Sequence, residues 1–263
     1  MSLEAKKSLG QNFLKSRKAI NAMIETPNIT EQDIVIEIGP GKGALTGPLL
    51  ETGATVIAFE LDERMIDFLS HEFEEYITAG TLRLVHQDVL DVTIHEYTQG
   101  KPYKVVANIP YYITNLILRT FLSGDCQPVS MCLLMQKEVA KRIVTHDNKE
   151  SILSLSVKLY GTPKYIMKVG RQYFSPSPNV DSAILFIDNI SRNDIRSDVF
   201  EQNFFTLVKT AFAQKRKQAI KNLQVIRERS FWERIFKELS INSSIRAEDI
   251  QYTKWLEIVD RFD

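Results

Sequence analysis

Asn108-Ile109-Pro110-Tyr111 is the stretch of this 263-residue chain whose residue types carry a definite chemistry. An exocyclic amine such as that of adenine is a poor nucleophile, because its lone pair is delocalised into the ring. Two acceptors gripping its N–H bonds favour a tetrahedral nitrogen and free the lone pair. The carboxamide oxygen of Asn108 and the main-chain carbonyl of Ile109 or Pro110 are two such acceptors. Pro110 stiffens the loop, and the ring of Tyr111 can stack on a base. Positioning and polarisation then carry the step, with no shifted pKa required. Phe174, in the run FSPSP, is the candidate for a second aromatic on the opposite face of the base. Drawing a base out of its stack costs a few kcal/mol. Stacking on an aromatic returns about 1–3 kcal/mol, so a Tyr111–Phe174 clamp would roughly offset that cost.

A second constellation lies upstream. Gly39, Gly41 and Gly43 follow the apolar run at 34–38 and precede a helix start at 45–52. Glycines there let the chain turn tightly and let a ligand approach the main chain. The spacing is GxGxG, and no GxxxxGKS/T occurs, so an ATP phosphate loop is not supported. Standing alone, the glycines describe only a tight turn. Glu60, ending the strand at 55–60, adds a carboxylate that can accept both hydroxyls of a ribose. Asp88, closing the strand at 81–87, can accept a hydrogen bond from an adenine amino group. Together they describe a pocket for an adenosine-bearing cofactor, either a nicotinamide dinucleotide or S-adenosylmethionine. An acidic lining disfavours a pyrophosphate and tolerates a sulfonium cation, which favours the methyl donor.

These residues need a scaffold that brings strand ends to one edge. Strand candidates at 34–38, 55–60, 81–87, 103–107 and 129–135 alternate with helical stretches at 62–75 and 114–122. That alternation means βαβ units and a parallel sheet, with the ligand at the carboxyl ends of the strands. Residues 136–146 and 150–160 read as helices, and 164–169 with 182–187 as a closing hairpin. Beyond Asn189 only helices are expected, which places a first domain over 1–190 and a helical one over 191–263.

Apolar residues make up 44% and charged residues 25%, enough for a real core and against disorder throughout. No window approaches the roughly 18 uncharged apolar residues of a membrane span. The start of the chain lacks the apolar stretch of a signal peptide. Cys126 and Cys132 form neither a CxxC nor a Cys/His cluster, so neither a metal site nor a disulfide framework is expected. A reducing cytoplasm follows by default. Net charge is zero, but it is segregated. Acids dominate residues 31–75, whereas 209–229 carries Lys209, Lys215, Arg216, Lys217, Lys221, Arg227 and Arg229 against Glu228 alone. The stretch KTAFAQKRKQAIKNL reads as helical, with Phe212, Ile220 and Leu223 inward and the bases outward. Such a face positions a polyanion through its phosphates without reading sequence. Lys6, Lys7, Lys15, Arg17 and Lys18 can add to it.

The motifs GQNFL (10–14), EIGPGKGALT (37–46), ELD (60–62), NIPYYIT (108–114), MQKEVAKR (135–142), FSPSPNVDSA (174–183) and AFAQKRKQ (211–218) span nearly the whole chain in order. By them the chain resembles the small-subunit rRNA adenine N6,N6-dimethyltransferases of the KsgA/RsmA type. The resemblance implies an α/β fold: a Rossmann-like class I methyltransferase domain with a small C-terminal all-helical domain that binds RNA. It implies S-adenosylmethionine as cofactor and, as substrate, two adjacent adenosines in the 3′-terminal hairpin loop of 16S rRNA in the assembling 30S subunit. It places cofactor contacts on Asn12 and Leu14, in an N-terminal lid, and on Gly39, Gly41, Glu60, Asp88 and Asn108. It also supports Asn108, Pro110, Tyr111 and Phe174 as the catalytic set, and Lys215, Arg216, Lys217 and Lys221 as the RNA face. A monomer without metal is expected. Two departures stand out: Tyr112 and Thr114 replace the family's usual Asn and Ser, and DNKESIL (147–153) replaces a glycine-bearing stretch. The rival readings are a 23S rRNA adenine dimethyltransferase, a ribosome-assembly checkpoint factor with dispensable catalysis, and an NAD-linked oxidoreductase. The last is disfavoured by the glycine spacing.

Overall fold

The computed structural model describes residues 4–6 and 9–262. A two-residue strand β1 (Phe13–Leu14) and helix α1 (Arg17–Glu25) precede β2 (Ile34–Ile38). Helix and strand then alternate through α2 (Thr46–Glu51), β3 (Thr55–Phe59), α3 (Glu63–Glu72), α4 (Glu74–Thr78), β4 (Leu82–Val85), α5 (Ile94–Thr98), β5 (Tyr103–Asn108), α6 (Thr114–Ser123) and β6 (Ser130–Gln136). Next come α7 (Lys137–Ile143), α8 (Ile152–Lys158), β7 (Thr162–Val169), β8 (Phe174–Ser175) and β9 (Ser182–Asp188). Four further helices close the chain: α9 (Asp198–Ala211), α10 (Ala219–Leu223), α11 (Arg229–Glu238) and α12 (Tyr252–Phe262).

The main sheet has seven strands in the order β4-β3-β2-β5-β6-β9-β7. The first five are parallel, and β9 runs antiparallel to both β6 and β7. This is the expected α/β sheet with its closing hairpin. Strands β2, β3, β5 and β6 are buried along most of their length. Strands covered on both faces read as continuous apolar runs rather than alternating ones, which is why IVIEI and VSMCLLM were legible. Strand order reverses beside β2, whose neighbours are β3 and β5. A switch point of this kind opens a crevice at the carboxyl ends of the strands.

The chain divides into two compact units, Met1–Ala140 with Thr162–Ile190, and Lys141–Gly161 with Ser191–Asp263. The expectation of a contiguous domain over 1–190 is therefore corrected. Helix α8 belongs with the C-terminal helices, because its buried Leu155 and Val157 need an apolar partner. In that second unit α9 buries Phe200, Phe204, Leu207, Val208 and Ala211, the i, i+4, i+7, i+8 stripe of an amphipathic helix. Trp232 of α11 is fully buried, and its indole N–H donates to Leu223 O at 2.9 Å.

The basic stretch is not one helix, which corrects a second expectation. Helix α9 stops at Ala211 and α10 starts at Ala219. Asn222 is the cause: its Nδ2 donates to Ala211 O at 2.6 Å and to Gln214 O at 3.2 Å. A buried side chain thus satisfies carbonyls that another helical turn would have used. Lys215, Arg216 and Lys217 sit exposed on the intervening turn, and Lys221 is exposed on α10. Ile220 and Leu223 are buried as expected. Lys7 lies outside the described residues. Among the described residues no helix is long and apolar enough to cross a membrane, and no cluster of His, Cys, Asp or Glu is placed to hold a metal.

Candidate active site

At the switch point a cavity of about 410 Å³ opens. Its lining draws on the turns after β2, β3 and β4, the loop after β5, and residues 9–15 of the N-terminal strap. Asn12, Leu14, Gly39, Gly41, Glu60, Asp88, Asn108, Pro110 and Tyr111 all line it. The structure therefore brings together nine of the residues that the sequence singles out.

The glycine turn is built on left-handed backbone. Gly41 has φ +56°, and a Cβ there would meet the Phe13 ring at 3.0 Å. Glycine at 41 thus serves both backbone handedness and the close approach of the strap. Gly39 N donates to Phe59 O at 2.9 Å, tying the turn to the end of β3.

Glu60 is 6% exposed and organises the cavity floor. Its Oε2 accepts from Gly41 N at 3.0 Å, and its Oε1 accepts from Leu61 N and Asp62 N at 2.8 and 2.9 Å. A carboxylate has about four acceptor positions, so roughly one remains for a ligand. Asp88 accepts from Leu90 N at 3.0 Å through Oδ1, which fixes the short turn after β4.

Glu37, within β2, was not singled out from the sequence. It is 1% exposed and lines the cavity. Its Oε2 accepts the Thr46 hydroxyl at 2.7 Å, while Oε1 has no partner among the described residues. Burial pushes its carboxyl up to about 8; the Thr46 bond opposes this, and the Glu60 charge adds to it. A sequence signal existed: an acid inside a run otherwise made of Ile and Val. Because the folded value lies above the unfolded one, near 4.5, this group's contribution to stability is full below that pH. It is lost as pH rises toward 8. Glu37→Gln should accordingly flatten the fall in thermal midpoint of the donor-free protein across that window. Parallel pH profiles for wild type and variant would remove Glu37 as the cause.

Asn108 ends β5, and its Nδ2 donates to Asn12 O at 2.9 Å. That bond turns its Oδ1 into the carboxamide's available acceptor. Pro110 O already accepts from Ile113 N at 3.2 Å. Of the two candidate main-chain acceptors, Ile109 O is thus the one the turn does not use. Tyr111 is half-buried, and its hydroxyl shares a hydrogen bond with Ser182 Oγ at 2.8 Å. Burial raises the phenol's pKa, so the ring stays neutral and acts as a surface rather than as a base.

Phe174 departs from expectation. It is 5% exposed, packed in the core with Leu14 and Val169, and absent from the cavity lining. Successive side chains of a strand point to opposite faces. In β8 it is Ser175 that lines the cavity, while Phe174 packs beside Leu14, its partner across the β1–β8 pair. A Tyr111–Phe174 clamp is not formed in this arrangement. The aromatic that is exposed at the cavity is Tyr112, at 64%.

The model of the ribosomal RNA adenine dimethylase family matches residues 2–263. The chain belongs to this family. It is 43% identical over 223 residues to a ribosomal RNA small subunit methyltransferase A of Dehalococcoides mccartyi (strain CBDB1), covering 84% of this chain and 75% of that protein. It is 36% identical to the protein of the same name from Fusobacterium nucleatum, over all of this chain and 99% of the relative. In fold it is similar to the solved 23S rRNA methyltransferase ErmE, with a TM-score of 0.80, 23% identity, and 95% and 99% of the two chains covered. As a dimethylase of this family the protein is an rRNA adenine N6,N6-dimethyltransferase, and S-adenosylmethionine is its methyl donor. The residues present fit that donor. The cavity size suits a single nucleoside-sized ligand, its carboxylates suit a cation, and the orphaned Glu37 oxygen awaits a hydrogen-bonding group.

Proposed function

We propose that this enzyme dimethylates N6 of two adjacent adenosines in the 3′-terminal hairpin loop of 16S rRNA during small-subunit assembly, acting as a cytoplasmic monomer. The small-subunit naming of the curated relatives supports this reading over a 23S substrate. Likeness to ErmE concerns the fold and does not choose between the two RNAs. The observation that carries the chemistry is the Asn108 carboxamide, held by the Asn12 carbonyl at the cavity.

In this reading Asn12, Leu14, Gly39, Gly41, Glu60, Asp88 and Asn108 hold the donor. Bound, S-adenosylmethionine supplies a methyl group on a sulfonium that a nitrogen lone pair can take. Asn108 Oδ1 and Ile109 O each accept one N–H of the target amine, which aims its lone pair toward the cavity. Pro110 fixes the loop's backbone, and Tyr111 carries the base on its ring. These groups are in place before the reaction, so little reorganisation is needed as the nitrogen changes shape. Incubating the protein with unmethylated 30S particles and labelled donor tests the substrate. Two adjacent dimethylated adenosines near the 3′ end of 16S rRNA are expected. Label confined to 23S rRNA, or none, would overturn the reading.

Lys215, Arg216, Lys217 and Lys221 form the proposed RNA face, on the turn before α10 and on α10 itself. Cations that neutralise phosphates make affinity fall with salt. Reversing the charges of Lys215, Arg216 and Lys217 should lower the slope of log affinity against log salt. The expected decrease is about 0.7 for each phosphate of single-stranded RNA that is no longer neutralised. An unchanged slope would place the RNA elsewhere.

A further inference from the structure

Asp62 lies two residues beyond Glu60 and is 1% exposed. Part of its role is local. It caps α3, accepting from Arg64 N at 3.3 Å. A cap needs one acceptor, and this carboxylate does far more. Lys6 Nζ donates to Oδ1 at 2.9 Å and Gln11 Nε2 to Oδ2 at 3.1 Å. Arg64 grips both oxygens, through Nε at 3.0 Å and Nη2 at 2.6 Å. The same guanidinium reaches Glu4 O at 3.3 Å. Arg64 foremost, then Lys6 and Gln11, keep the carboxyl well below the usual range despite its burial, so the charge persists at any ordinary pH.

Two of the partners of Asp62 share one segment. Lys6 and Gln11 belong to the N-terminal strap, which folds on itself: Gln11 Oε1 accepts from Lys6 N at 2.8 Å, and Lys6 O accepts from Leu9 N at 3.1 Å. At its other end the strap is pinned by antiparallel pairing of β1 with β8. Between these two fixed points, residues 9–12 line the cavity. There Asn12 O receives Asn108 Nδ2.

We propose that Asp62 is a positioning residue: it fastens the N-terminal strap across the donor cavity and, through the Asn12 carbonyl, sets the orientation of the Asn108 carboxamide. The inference rests on the reading that this cavity holds the donor. Losing the fastening leaves the strap held only by β1 and by the single Asn12–Asn108 bond. Its middle then opens more often, and both donor retention and carboxamide orientation suffer together.

Two variants break the fastening differently. Asp62→Asn keeps an oxygen for the helix cap, since asparagine caps about as well as aspartate. Lys6→Met combined with Gln11→Ala leaves Asp62, Arg64 and the cap untouched. Two readouts are followed: deuterium exchange of the 9–14 amides in donor-free protein, and release of labelled donor chased by unlabelled donor. Both variants should accelerate both processes by roughly tenfold, the order expected for losing a hydrogen bond to a charged group. The double variant should do so with its thermal midpoint lowered by only a few degrees, whereas a purely structural role for Asp62 would leave donor release unmoved. Should Asp62→Asn fail to fold, the double variant decides alone. Strap exchange and donor release at wild-type rates in the double variant overturn the proposal. Glu60→Ala separates this from failure of the cavity reading. If it weakens donor binding while the strap variants do nothing, only the role of Asp62 falls. If it too leaves donor binding unchanged, the cavity reading itself falls.

Discussion

Asn108→Ala should lower the rate of methyl transfer by about 10²–10³-fold, the cost of removing one preorganised group that meets the developing charge. The argument is geometric. The Nδ2 of this carboxamide is committed to the Asn12 carbonyl at 2.9 Å, so the alanine variant loses an acceptor that was held in one orientation. No neighbour supplies a substitute, because Pro110 O is engaged by Ile113 N. Donor affinity should fall less, by under about tenfold, since only the single Asn12 tie is lost on that side. Single-turnover transfer to rRNA, with donor binding measured separately, resolves the two effects. A rate close to wild type would end the polarising role assigned to Asn108.

The second large effect is expected at Glu60. In Glu60→Ala the amides of Gly41, Leu61 and Asp62 lose their acceptor, and Gly41 and Leu61 line the cavity. Each hydrogen bond to a charged group contributes about 1.5–3 kcal/mol, and an orphaned buried donor costs about 1–3 kcal/mol. The Gly41 turn would relax and the remaining ligand-accepting position would vanish. Donor affinity should drop by about 100-fold, the equivalent of two such bonds at 1.4 kcal/mol per decade. Glu60→Gln keeps one oxygen for the backbone and should lose less. Calorimetric titration with S-adenosylmethionine measures both. An affinity for Glu60→Ala close to wild type would mean that the donor is held elsewhere.

That Gly39, Gly41, Glu60, Asp88 and Asn108 would line one cavity was legible because the signal is local. Each follows an apolar run, and a parallel sheet collects such strand ends at one edge by topology alone. The strap was not legible from local pattern. Phe13 and Leu14 pair with Ser175 and Phe174, far along the chain, and a two-residue strand leaves no periodicity to read. The family motif placed Asn12 and Leu14 near the cofactor, but nothing pointed to Asp62 as the anchor. The burial of Phe174 was not legible for a related reason: β8 is too short to declare which of its residues packs inward. The residues from Lys209 to Leu223 suit a helix by composition, yet Asn222 from beyond the break ends it. Helical periodicity also found α8 without revealing that it packs with the C-terminal helices.

A dimethylated amine consumes two donor molecules, so the spent one must be exchanged before the second methyl can arrive. With the strap tied down at Asp62 and stitched to β8, that exchange competes with departure of the half-finished base. How tightly the strap is tied thus bears on whether the enzyme finishes each nucleotide in one visit or leaves monomethylated RNA behind.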